Sequence, residues 1–109
     1  MQEIQIPLRE NEIEINKIVI KVKPVKMKYI VEGFYGYYVI LKKFGLMKLS
    51  TYTDGKDVFD KFLIAVFDGN VEIIDILSEE LTELKMKELV IMVKNINELD
   101  DEEEDLKNV

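Results

Sequence analysis

The sequence predicts an α+β fold, mostly helical, in which a short antiparallel β-hairpin precedes a small bundle of three to four helices. Near the N-terminus apolar residues alternate with polar ones, as in a half-buried strand, and from Met27 onward they recur at helical spacing. The chain has 109 residues, 48% of them apolar, enough for one domain with a modest core. We therefore expect a single globular domain over residues 1–99 and a disordered acidic tail over residues 100–109.

The β-hairpin is expected at about residues 3–23. The alternating runs are Ile4, Ile6 and Leu8, then Ile13 and Ile15, then Ile18, Ile20 and Val22. Asn16-Lys17 is a candidate tight turn, since Asn tolerates positive φ. Pro7 lacks an N–H group, which places the first run at a sheet edge. Two or three antiparallel strands are the expected result.

The helices are expected at about residues 26–44, 56–67, 71–78 and 84–98. Pro24 ends the strand pattern, and Lys42, Lys43 and Gly45 suit the C-terminal end of the first helix. Residues 46–53 are interpreted as an extended connector, followed by an Asp54-Gly55 turn. The predicted inner face of the helix at 56–67 consists of Val58, Phe59, Phe62, Leu63 and Val66. That of the helix at 71–78 consists of Ile73, Ile74 and Leu77. That of the last helix consists of Met86, Leu89, Val90, Val93, Ile96 and Asn97.

Charge is distributed unevenly along the chain. Residues 1–50 carry nine basic side chains against five acidic ones, whereas residues 51–109 carry six against seventeen. Seven of the eight residues from Glu98 to Asp105 are acidic, a pattern typical of a solvated, disordered segment. The chain lacks a dense arginine cluster, so we expect no nucleic-acid binding. Its longest apolar-rich stretch is too short to span a bilayer, so we expect no membrane partner.

Residue types needed for most catalysis are missing. The chain contains no histidine and no cysteine, which removes the commonest general base and the thiolate nucleophile. Ser50 and Ser78 lie outside any nucleophile motif, and no phosphate-binding glycine motif is present. The acids around Asp54 and Asp57 break the spacing of a calcium loop. We expect no enzymatic activity, no metal and no cofactor.

The most distinctive segment is the aromatic run from Tyr29 to Leu41, which also contains Gly33 and Gly36. Most of its aromatics are expected to pack in the core, yet the predicted helix is apolar around more than half its circumference. Tyrosine is enriched at protein interfaces because its ring is apolar and its hydroxyl is polar. We predict that part of this helix docks a partner or a second copy of the chain. The candidate contact residues are Tyr29, Phe34, Tyr35, Tyr37, Tyr38 and Leu41.

Residues 12–99 resemble the tail assembly chaperones of tailed bacteriophages and phage-like elements. The resemblance rests on the lysine-bearing hairpin, on Lys23-Pro24-Val25-Lys26 where the first helix begins, and on the closing helix with Leu89, Val90, Val93 and Asn97. The aromatic first helix departs from the more charged helix of such families.

The resemblance implies a cytoplasmic function in the bacterial host. Such a chaperone binds the long, helical tape measure protein and keeps it soluble until the tail tube polymerises around it. Families of this kind often have a longer form made by ribosomal frameshifting, and the acidic tail would add solubility.

Two other classes remain open. One is a structural accessory of the virion, a tail-completion or connector subunit that assembles stably into rings. The other is an acidic phage inhibitor of a host defence nuclease, which would spread carboxylates over its folded surface. The concentration of acids in the tail argues against the inhibitor.

Overall fold

The computed structural model describes residues 11–99, which form a two-stranded sheet followed by five helices. The strands are β1 (Glu12–Ile15) and β2 (Ile18–Lys21), paired antiparallel. The helices are α1 (Met27–Val31), α2 (Phe34–Leu49), α3 (Gly55–Val66), α4 (Val71–Glu80) and α5 (Glu83–Ile96). The predicted α+β class, with a hairpin before the helices, is confirmed. The run at Ile4, Ile6 and Leu8 and the acidic tail lie outside the described residues.

The hairpin turn has the predicted position. Ile15 pairs with Ile18, so Asn16 and Lys17 form a two-residue loop, with φ values of 50° and 66°. Two positive φ angles are typical of the type I′ turn, whose twist matches that of the strands. The inner face of the hairpin, Ile13, Ile15, Ile20 and Val22, is buried in the core.

The predicted helix over residues 26–44 is divided into α1 and α2, which brings the helices within residues 11–99 to five. Gly33 has φ of 107°, outside the helical region, and this break separates α1 from α2. Glycine has no Cβ, so it adopts such angles at little steric cost.

A second difference from the prediction concerns residues 46–53, expected to be an extended connector. Helical structure continues to Leu49 after a kink at Gly45, where φ is 76° and ψ is 174°. The side chain of Glu83 accepts a hydrogen bond from the backbone N–H of Leu46 at 2.9 Å. That N–H would otherwise lack a partner within its own helix, so the acid on α5 caps the turn that follows the kink.

The central helix of the core is α2, which packs against both α3 and α5. Phe34, Tyr38 and Leu41 are buried at positions i, i+4 and i+7 of its inner face, and the Phe34 ring stacks on Phe62 at 5.6 Å. The predicted inner faces of α3 and α5 supply most of the remaining core, with Val58, Phe62, Leu63, Val66, Met86, Leu89, Val90 and Val93 buried.

Asn97 joins the hairpin side of the fold to α5. Its Oδ1 accepts a hydrogen bond from the backbone N–H of Val25 at 2.8 Å, and its Nδ2 donates to the carbonyl of Val93 at 2.9 Å. The segment between β2 and α1 and the end of α5 therefore meet at this side chain. This contact fixes where the chain leaves β2 and begins α1.

Two glycine variants in α2 test the account of the kink. Gly45→Ala forces a Cβ into the Glu83 carboxylate and retains a φ that alanine resists, so unfolding free energy should fall by about 2–3 kcal/mol. Gly36→Ala is the control, because Gly36 lies inside the helix with no atom near its missing Cβ. That variant should gain about 0.5–1 kcal/mol. Urea denaturation measures both, and equal effects would contradict the account.

Candidate protein-docking site

The structure divides the six predicted contact residues into two groups. Phe34, Tyr38 and Leu41 are buried in the core between α2, α3 and α5. For these three the prediction of partner contact is wrong, because their side chains already pack against this chain's own helices. Tyr35 is exposed and its ring packs against that of Tyr38 at 5.8 Å, while Tyr29 and Tyr37 are half-buried.

Tyr29 and Tyr37 line a shared groove of about 380 Å³ between the α1–α2 region and α3. The exposed side chain of Ile64 lies in the same groove, and the Lys61 ammonium is 5.7 Å from the centre of the Tyr37 ring. An ammonium above an aromatic face is held by the ring's quadrupole. The groove thus combines two tyrosine rings and an isoleucine with a cation.

Beside this groove, α1 buries none of its five side chains. Met27, Ile30 and Val31 have the spacing i, i+3 and i+4, so they share one side of the helix, which we call the α1 face. Their exposed fractions are 68%, 45% and 78%. A helix this short gains little stability from its own hydrogen bonds, and packing normally supplies the rest. The α1 face is therefore an apolar surface that no described residue covers.

The position of α1 is set by contacts to Asp68, in the turn between α3 and α4. Its Oδ2 accepts a hydrogen bond from Lys26 Nζ at 2.5 Å, and its Oδ1 accepts one from the Tyr29 hydroxyl at 2.8 Å. Asp68 has φ of 51°, a left-handed conformation that Asp and Asn tolerate better than most residues. Because the Lys26–Asp68 pair is exposed, it adds little stability, and its effect is mainly to orient α1.

The contacts between Lys26, Tyr29 and Asp68 shift the pKa of the Asp68 carboxyl and the pKa of the Lys26 ammonium. Hydrogen bonds from Lys26 and Tyr29 hold the pKa of the Asp68 carboxyl below its usual value, and the bond to Asp68 raises the pKa of Lys26. A lowered carboxyl pKa means that the contact is fully present above about pH 4 and is lost as the pH falls through the folded pKa. The raised lysine pKa means that the contact persists to alkaline pH and is lost only above the usual lysine pKa.

Three lysines lie around the site, and two of them pair with acids of this chain, Lys26 with Asp68 and Lys61 with Asp57. Lys28 Nζ lies 4.8 Å from the Tyr29 ring centre, and Lys26 and Lys61 flank the site on either side. Glu32 is the one acidic residue that lines the groove. An apolar partner segment that carries acidic residues at its edges fits this arrangement.

Sequence reasoning missed the α1 face and the contribution of Ile64. Met27, Ile30 and Val31 were assigned to a long helix with a broad apolar stripe, of which a bundle would bury part. The sequence feature that indicates a separate α1 is Gly33, because a helix break at this residue leaves only about one helical turn on its N-terminal side. Nothing in the sequence around Asp68 indicates its contacts with residues about 40 positions earlier.

Comparisons with protein-family models, with curated proteins and with solved structures found no match to this chain. Within residues 11–99, no helix is both long and apolar enough to cross a bilayer, and no group of three metal-ligating side chains is present. What the site binds is therefore inferred from its own residues.

Asp68→Asn tests the orientation of α1. The variant keeps a residue suited to positive φ but removes the charge that pairs with Lys26, so the backbone amides of α1 should exchange with deuterium about three- to tenfold faster. Asp60→Asn is the matched control, because Asp60 pairs with Lys56 inside α3. NMR measures the exchange rates of the α1 amides in both variants. If α1 exchanges at the same rate in both variants, Asp68 does not orient it.

Proposed function

We propose that this protein is a non-enzymatic tail assembly chaperone of a phage or phage-like element. In this proposal it binds the tape measure protein in the cytoplasm of the bacterial host and keeps it soluble until the tail tube polymerises. The observation that carries the proposal is the α1 face, because Met27, Ile30 and Val31 are exposed beside a tyrosine-lined groove.

Helix recognition is the binding mode that this surface favours. A long helical client exposes apolar stripes that aggregate in water unless they are covered. The α1 face and the Tyr29–Tyr37 groove together offer apolar area for one stripe, as in other helix-in-groove complexes. Lys28 would pair with an acid beside that stripe, whereas Lys26 and Lys61 already pair with Asp68 and Asp57 of this chain.

The chemistry of release also supports a binding function. A chaperone must give up its client when tube subunits arrive, so modest affinity through an open surface suits it better than a deep pocket. Exposed side chains form the α1 face, and the chain contains neither histidine nor cysteine for covalent work. The α1 face disfavours the nuclease-inhibitor alternative, because a phosphate mimic needs carboxylates on its folded surface and Met27, Ile30 and Val31 carry none.

Paired substitutions test the proposal by co-expression with the tape measure protein of the same element. Met27→Glu with Val31→Glu should lower recovery of soluble complex about tenfold or more, because charge replaces the apolar contact area. The control pair is Val71→Glu with Met47→Glu, whose side chains are 68% and 77% exposed, matching the 68% and 78% of Met27 and Val31. Affinity capture and light scattering measure both.

Three outcomes would contradict the proposal. In the first, the tape measure protein stays insoluble with the unsubstituted chain; in the second, both variant pairs lose the client equally; in the third, the protein alone forms a stable ring. The first outcome would contradict the chaperone function, and the second would show that the α1 face is not the binding site for the client. A stable ring would instead indicate the structural virion subunit, with the α1 face buried between copies.

A further inference from the structure

A second groove, of about 450 Å³, lies between α2 and α5, and the α1 face takes no part in it. Its volume falls within the range of roughly 300–1,000 Å³ that is usual for binding sites. Three buried apolar side chains form its floor, Leu41, Met86 and Val90. Ile91 is 58% exposed and continues the apolar surface along α5. We call this depression the α2–α5 groove.

The two walls of the groove are helices. The residues that α5 contributes have the spacing i, i+3, i+4, i+7 and i+8, which places them on one side of the helix. They are Glu83, Met86, Lys87, Val90 and Ile91. The opposite wall is the part of α2 that precedes its kink at Gly45. The hydrogen bond from the Leu46 N–H to Glu83 joins the two walls at one end of the groove.

The charge lining the groove is positive. Lys42, Lys43 and Lys87 line it and are exposed, and Glu83 is the one acid among its described lining residues. The Glu83 carboxylate already accepts the hydrogen bond from Leu46. Residues 11–99 carry thirteen lysines against fourteen acids, so the excess of lysine at the groove is local. An anionic occupant is therefore favoured.

Two of these lysines are available to a partner. Within residues 11–99, no ion pair joins Lys43 or Lys87 to an acid. Because Lys43 lies on α2 and Lys87 lies on α5, the two charges belong to opposite walls of the groove. An occupant that matches them carries an acid on each side of an apolar strip.

A helix is the form of occupant that this groove favours. Its helical walls offer no strand edge with which an extended segment could pair. An extended segment over the apolar floor would leave its backbone N–H and C=O groups without partners, which is costly. A helix pairs those groups internally and presents apolar side chains on one side with acids beside them.

We propose that the α2–α5 groove binds an acidic amphipathic helix of a partner protein. The apolar side of that helix packs on the groove floor and on Ile91, and carboxylates on its two flanks pair with Lys43 and Lys87. Single exposed ion pairs contribute little, so the floor supplies most of the affinity and the lysines set orientation and register. The inference does not depend on the proposed function, because it uses neither the α1 face nor the Tyr29–Tyr37 groove.

A second copy of this chain is the rival occupant. The described helix that is most acidic is α4, which contains four acids and no basic residue. Its one large exposed apolar side chain is Val71, at its first position. One valine covers little of a floor made by three core residues, so a second copy is disfavoured.

Synthetic helical peptides of about four turns test the proposal with the full chain. The first peptide has one leucine stripe flanked by glutamates, and the second has the same stripe flanked by lysines. Fluorescence anisotropy should give a Kd at least about tenfold lower for the acidic peptide, because its charges complement Lys43 and Lys87. A third peptide, with serine replacing leucine and the glutamates kept, should bind at least about tenfold more weakly than the first, because it lacks the apolar contact.

Variants of the full chain locate the binding site. Lys43→Gln with Lys87→Gln should raise the Kd of the acidic peptide about fivefold, because two ion pairs are lost. Lys21→Gln with Lys23→Gln is the matched control, since it removes the same charge from a different groove, beside Asp68. The Met27→Glu, Val31→Glu pair should leave the Kd unchanged, which separates this site from the α1 face.

Four results would overturn the proposal. Three are equal affinity for the acidic and basic peptides, a larger effect of the Lys21 and Lys23 substitutions, and NMR shifts confined to α1 and the Tyr29–Tyr37 groove. The fourth comes from sedimentation of the full chain without peptide. Self-association that Lys43→Gln with Lys87→Gln abolishes would make a second copy the occupant.

Discussion

The fold depends on one line of contact, in which Phe34, Tyr38 and Leu41 of α2 face α3 and α5 together. Phe34 stacks on Phe62, while Tyr38 and Leu41 continue the same buried line toward the middle of the helix. The close-packed interior that results leaves little freedom in how the neighbouring helices sit. Gly33 and Gly45 limit the regular part of α2 at either end, and Glu83 secures the chain beyond the second break.

The same constraint accounts for the exposed apolar surface. A helix presents only one side to a two-layer core, so an aromatic segment that is apolar around more than half its circumference leaves part of itself outside. Because the helix breaks at Gly33, the apolar residues before it lie on a separate short helix, α1, and do not widen the apolar stripe of α2. Asp68, in the turn between α3 and α4, then orients α1 through its contacts with Lys26 and Tyr29. The α1 face is thus exposed in a defined direction, as a binding surface requires.

Elements with strong local signals were predictable from the sequence. The Asn16-Lys17 turn and the inner faces of α3 and α5 follow from alternation and from helical spacing, and the structure confirms them. The position of α2 relative to Gly33 and Gly45 was not predictable, because a glycine inside a helical pattern is compatible with both continuation and a break. Caps supplied from a distance, such as Glu83 on Leu46, carry no local signal. For the candidate site, the sequence assigned three buried residues, Phe34, Tyr38 and Leu41, to the surface, since burial depends on which side of α2 the neighbouring helices cover.

Hydrogen–deuterium exchange of the protein with and without the tape measure protein tests the central claim most directly. The claim is that the α1 face and the adjoining groove contact the client. The account predicts slower exchange on complex formation at residues 27–37 and 61–65, with α4 unaffected as an internal reference. Protection confined to α4 or to the hairpin, or no protection anywhere along the described chain, would contradict it.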